Sequence, residues 1–137
     1  MKKLIAFLPI LVGSLISCSK SSDEGGSTPP ATPVETPITF TINASNNSVA
    51  LTNGYAVTAT LTSIMPSSKG ITIETTLVNQ SNSANISQSA AVTSTAAVNN
   101  LQFINLPQQQ LCTATVKVSS VATPSNSATQ SFTVVYK

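Results

Sequence analysis

From Ile38 to Lys137 apolar and polar residues alternate with a period of two, and no stretch keeps the 3.6-residue spacing of an amphipathic helix. Ile38, Phe40 and Ile42 alternate with Thr39 and Thr41; Tyr55, Val57, Ala59 and Leu61 with Thr58, Thr60 and Thr62, in a strand predicted to run to Ile64. Ile71, Ile73 and Leu77 alternate with Thr72, Glu74 and Thr76. The cleanest run sets Cys112, Ala114, Val116 and Val118 against Thr113, Thr115, Lys117 and Ser119. Its register is predicted by charge, because a one-residue slip would bury the Lys117 ammonium and expose the apolar set. Shorter strands are predicted at Ser48 to Leu51, Ile86 to Ser89, Ala91 to Ala97 and Leu101 to Asn105, and the last from about Ala128 to Tyr136. Turn chemistry separates them: Asn43 to Asn47, Asn53-Gly54, Met65 to Gly70, Asn79 to Asn85, Asn99-Asn100, Leu106 to Gln110 and Thr123 to Ser127. The pattern predicts an all-β fold, an antiparallel β-sandwich of seven to eight strands over residues 38–137.

Residues 1–37 follow other rules. Lys2 and Lys3 precede an apolar run from Leu4 to Ile16, a charged region followed by a short hydrophobic one. Thirteen residues interrupted by Pro9 and Gly13 are too few for a span, which needs roughly 20. Residues 1–17 therefore read as a secretion signal. From Ser19 to Pro37 the chain is Ser, Thr, Gly and acid with Pro29, Pro30, Pro33 and Pro37; only Ala31 and Val34 are apolar, so the stretch reads as a disordered tether without a core of its own.

Two resemblances attach to these segments. Leu15-Ile16-Ser17-Cys18 resembles the lipobox of bacterial lipoproteins, which implies a signal peptide at 1–17 and lipidation at Cys18, the first mature residue. Two or three acyl chains there would hold the protein at a membrane, where a single chain binds only marginally. Ser19, standing where Asp favours inner-membrane retention, implies the outer membrane, and Ser19 to Glu24 resembles the tract that follows the lipid Cys in surface-exported lipoproteins of Bacteroidota. Leu101 to Tyr136 in turn resembles the closing three strands of immunoglobulin-like and fibronectin type III-like domains: a short strand, a Leu-Pro corner, a long alternating strand, a polar turn and a last strand. Cys112 stands where fibronectin type III domains carry a Tyr, and the chain has no Trp, so the Ig-like sandwich is the nearer of the two. The whole is similar to small lipoproteins of Bacteroidota with residues 18–37 as lipidated tether and 38–137 as one Ig-like domain. That resemblance brings no catalytic or ligand residues with it.

Composition narrows the chemistry. The 137 residues include six Lys, four acids, and no Arg, His or Trp. Residues 38–137 hold one acid, Glu74, and one thiol, Cys112. A glycosidase needs two carboxylates and a thiol nucleophile needs a base, so an enzyme is not expected, nor is a metal or cofactor. Without Arg or a basic stripe there is no footprint for nucleic acid. With Cys18 lipidated, Cys112 has no disulfide partner, and it is expected to pack as a small hydrophobe. Glu74 and Lys117 are expected as a cross-strand pair on the outer face.

Forty-nine of residues 38–137 are Ser, Thr, Asn or Gln, a surface suited to hydrogen bonding. Glycan recognition also needs an aromatic platform, for which Tyr55 and Tyr136 are the candidates. The expectation is a lipid-anchored cell-envelope protein whose sandwich binds a protein or glycan ligand through loops such as Met65 to Gly70 and Asn79 to Asn85. The alternative is a structural accessory subunit of an outer-membrane or surface complex that docks by sheet-edge pairing. Partners are then the membrane, through Cys18, and a protein or glycan.

Overall fold

The computed structural model describes residues 34–137; the signal segment, Cys18 and most of the tether lie outside them. Every regular element among the described residues is a strand: β1 (Phe40–Ile42), β2 (Ser48–Ala50), β3 (Tyr55–Leu61), β4 (Ile71–Asn79), β5 (Asn85–Ile86), β6 (Val92–Ser94), β7 (Val98–Phe103), β8 (Leu111–Ser120) and β9 (Ser127–Tyr136). They form two sheets around one core, the arrangement of a β-sandwich. The smaller has the order β1-β3-β7; the larger runs β2-β9-β8-β4-β5, with β6 also on β4.

The alternation decides which face is buried. On β8, Cys112, Ala114, Val116 and Val118 are buried, while Lys117 is exposed and Thr113 and Thr115 are partly so. Phe103 from the smaller sheet meets Phe132 from the larger edge to face, centroids 5.6 Å apart, and Tyr55 leans on Phe132 at 5.7 Å. These rings, with Ile71, Leu77, Val57 and Val134, close the core.

Four features differ from the expectation. Among the described residues there are nine strands rather than seven or eight: the short segments predicted at Ile86 to Ser89 and Ala91 to Ala97 shrink to β5 and β6, but each still forms a ladder with β4. The pairing is not wholly antiparallel: β2 runs parallel to β9, Ser48 facing Val134. After β1 the chain crosses to the other sheet through Asn47, at φ 65°, and continues in the same direction; Asn tolerates that left-handed conformation. Asn99 and Asn100 lie inside β7, opposite Ala59 and Thr58. Asn100 accepts a hydrogen bond from Thr58 Oγ1 at 3.0 Å, and Asn99 donates to Ala96 O at 2.9 Å, so pairing outweighs their turn preference. Finally, β3 stops at Leu61, since Thr62 and Ser63 both donate to Thr39 O.

The ordered fold also begins before Ile38. Ser120 Oγ donates to Glu35 Oε1 at 2.9 Å and Asn126 Nδ2 to Glu35 Oε2 at 3.1 Å. Asn126 Nδ2 also donates to Thr36 O at 2.9 Å, and Asn126 Oδ1 accepts from the Ile38 N–H at 3.0 Å. Two residues of the expected tether, Glu35 and Thr36, are thereby bonded to the β8–β9 loop. This is the proximal end of the sandwich, where the chain comes in. The distal end holds the turn at Gly54, the Gln80 to Ala84 loop, the Ile104 to Gln110 connection and Lys137, tied by Leu106 N to Asn53 O and Lys137 N to Ala50 O.

Candidate binding edge

The edges of a sheet present unpaired backbone groups, and sandwiches ordinarily blunt them with short strands, charges, Pro or cover. Here β1, β2, β5 and β6 are two or three residues long. At β1 the Gln130 side-chain amide donates to the outward Phe40 carbonyl. β7 is different. It has six residues, Val98-Asn99-Asn100-Leu101-Gln102-Phe103, carries no charge and no Pro, and among the described residues pairs only with β3.

Which of its groups are free follows from the register. Leu61 N–H donates to the carbonyl of Ala97, directly opposite it, at 2.8 Å. In an antiparallel ladder bonded pairs alternate, so Asn99, Leu101 and Phe103 turn their backbone groups to β3 while Val98, Asn100 and Gln102 turn theirs outward. The next outward residue, Ile104, is already occupied. Its N–H donates to Gln88 Oε1 and its carbonyl accepts from Gln88 Nε2, both at 2.9 Å. A side-chain amide thus sits where the backbone of a neighbouring strand would.

Gln88 reaches Ile104 because the chain between β5 and β6 leaves β4. Leu77 faces Ile86 and Ile73 faces Val92, so four steps along β4 are matched by six on the other side. The extra length bulges off the edge by one residue more than an ordinary β-bulge. Neither β5 nor β6 covers Glu74 to Thr76 on this side. The gap opens into a cavity of about 170 Å³ lined by Ile73, Thr75, Ala90, Val92, Leu101 and Gln102, among others. Cavities for drug-sized ligands run from about 300 Å³ upward, so this one suits a single side chain. Val92, in its wall, is 54% exposed, and Val98 at the start of β7 is 56% exposed.

The residues singled out from the sequence fall elsewhere. Cys18 lies outside the described residues. Cys112 is fully buried with its Sγ 3.9 Å from Gln110 O, and burial pushes its thiol pKa up; a protonated, inaccessible thiol is not a nucleophile. Glu74 and Lys117 are directly opposite on β4 and β8 and form an ion pair at 3.3 Å, each side chain 47% exposed. The two nominated loops do not meet: Met65 to Gly70 precedes β4 and Asn79 to Asn85 follows its last residue, so the length of the strand, about 25 Å at 3.3 Å per residue, separates them. Tyr55 and Tyr136 are partly buried against the core, and Tyr55 also leans on Phe132. Among the described residues no group of three or more His, Cys, Asp and Glu is placed to hold a metal, and no helix is long and apolar enough to cross a membrane.

The β7 edge was hidden in the sequence. Read as Asn99-Asn100 turn plus Leu101 to Asn105, it has no six-residue edge at all; the one signal for its exposure was the absence of charge from Val98 to Phe103. Compared with known protein families, with curated proteins and with solved structures, the chain shows no match.

Proposed function

We propose that this is a lipid-anchored cell-envelope protein, held at the outer membrane through Cys18, whose Ig-like domain binds a protein partner. The order β1-β3-β7 against β2-β9-β8-β4-β5, with the first strand divided between the sheets, supports the Ig-like reading. The observation that carries the binding reading is the uncovered edge of β7 beside a side-chain-sized cavity. It favours a protein ligand over a glycan, because a backbone edge matches a polypeptide and both tyrosines are packed. It also moves the binding surface from the end loops to the flank. A role as accessory subunit in a larger surface complex uses the same edge and remains the second reading.

A photo-cross-linking residue at Asn100, introduced in intact cells, should capture a protein in a defined adduct, while the same residue at Thr115 on the outer face of the larger sheet should not. Equal capture at both positions, or capture only from the distal loop at Ser83, refutes the reading.

A further inference from the structure

We infer that the β7 edge takes an extended, uncharged segment of a partner protein as a fourth strand of the smaller sheet, with one small aliphatic side chain in the cavity and Gln88 setting where that strand ends. The inference rests on the binding reading above and names the chemistry of its ligand.

Three observations on different parts of the edge agree. Val98, Asn100 and Gln102 offer outward N–H and C=O groups in the spacing that an adjacent strand uses. The fold itself fills the fourth position with an amide that donates to Ile104 O and accepts from Ile104 N, so the edge already makes this two-point contact with one ligand of the right chemistry. The cavity opens directly beside Leu101 and Gln102, its walls contributed by Ile73, Ala90, Val92 and Leu101. A strand laid along β7 places alternate side chains toward the core, and the cavity receives one of them.

The surroundings also define the occupant. No ionisable residue lines the cavity or lies on β7, so a charged side chain seated there would be desolvated without a partner. The chain's own tether is a poor strand for this edge, because Pro29, Pro30 and Pro33 lack the N–H groups that the outward carbonyls would accept. A second copy is a poor one too. Its Phe103 and Leu101 are committed to its own core, leaving nothing for the cavity. Antiparallel pairing of two β7 strands would also set the proximal ends at opposite sides of the pair, obliging one tether to run back along the sandwich. An extended segment of a different chain meets neither obstacle.

The probe is a blocked pentapeptide, acetyl-Thr-Val-Thr-Val-Thr-amide, added at millimolar concentration to the purified full chain, with residue-resolved hydrogen exchange as readout. Exchange of the Val98, Asn100 and Gln102 amides should slow by about tenfold or more, and that of Asn99, Leu101 and Phe103 should not change. The same peptide N-methylated at every residue, which blocks both edges, should give no slowing. In the Gln88→Ala variant the seven-residue peptide of the same repeat, acetyl-Thr-Val-Thr-Val-Thr-Val-Thr-amide, whose alternate carbonyls reach all four outward N–H groups, should protect Ile104 as well. Slowing that survives N-methylation, or no slowing at Val98, Asn100 and Gln102, overturns strand addition; an unprotected Ile104 in Gln88→Ala overturns the role of Gln88. If the Asn100 cross-link captures a protein while the peptide tests fail, the binding reading stands and strand addition falls. If the cross-link also fails, both fall.

Discussion

Cys112 is where a single side chain reports on the whole packing scheme. Its thiol is the one reactive group on the β8 face and is fully buried in the core cluster. In native protein it should react with a maleimide orders of magnitude more slowly than in denaturant; similar rates in both would put the face of β8 outward. Burial disfavours the thiolate and so raises the folded-state pKa above an unfolded value near 8.5. The folded chain therefore holds the proton where the unfolded chain has lost it. The stability this contributes is fully present below about pH 8.5 and is lost as pH rises above it, at no more than about 1.4 kcal/mol per pH unit. Denaturant unfolding between pH 8 and 10 should show a steeper loss for the native sequence than for Cys112→Ala. The Glu74–Lys117 pair is a different kind of residue contact. Half exposed, it contributes only about 0.2 to 1 kcal/mol in a double-mutant cycle, and its value is as a marker of register between β4 and β8.

At the scale of the element, β7 makes the sharpest statement. In the free protein, amide exchange along it should alternate: Asn99, Leu101 and Phe103 slow, Val98, Asn100 and Gln102 fast, and Ile104 slow because Gln88 holds it. Gln88→Ala should release Ile104 alone, at a stability cost of about 1 kcal/mol for a partly exposed amide contact. Uniform protection from Val98 to Phe103 would mean that the edge is already covered. The long strands were legible because their alternation is enforced by burial: Ile71 to Leu77 and Cys112 to Val118 have one apolar face and one hydroxyl-rich face, and the structure pairs them along nine positions. The flank was not legible for the opposite reason. Between Ile86 and Phe103 few side chains are deeply buried, so nothing in the sequence distinguishes a strand that pairs from one that bulges. There Asn100 follows a cross-strand neighbour, Thr58, and Gln88 follows a backbone sixteen residues away, both contacts that local pattern does not encode.

For the molecule as a whole, the proposed anchor and the sandwich lie in separate parts of the chain, and two substitutions should separate their contributions. Under the lipoprotein reading every acyl chain is attached through Cys18, so Cys18→Ala should abolish incorporation of a labelled fatty acid and remove the protein from the membrane fraction. Among the described residues the first side chain bonded to the sandwich is Glu35, so the same variant should unfold at an unchanged temperature. Asn126→Ala should do the reverse. One side chain there serves the Glu35 carboxylate, the Thr36 carbonyl and the Ile38 N–H, joining the incoming chain to the β8–β9 loop. Its loss leaves at least one of those groups without a partner, at about 1 to 3 kcal/mol, which for a domain of this size lowers Tm by about 5 to 15 °C. Membrane association and fatty-acid labelling should be untouched. A wild-type protein that takes up no labelled fatty acid would remove the anchor, and an Asn126→Ala protein with unchanged Tm would show that the domain does not depend on being tied at its proximal end.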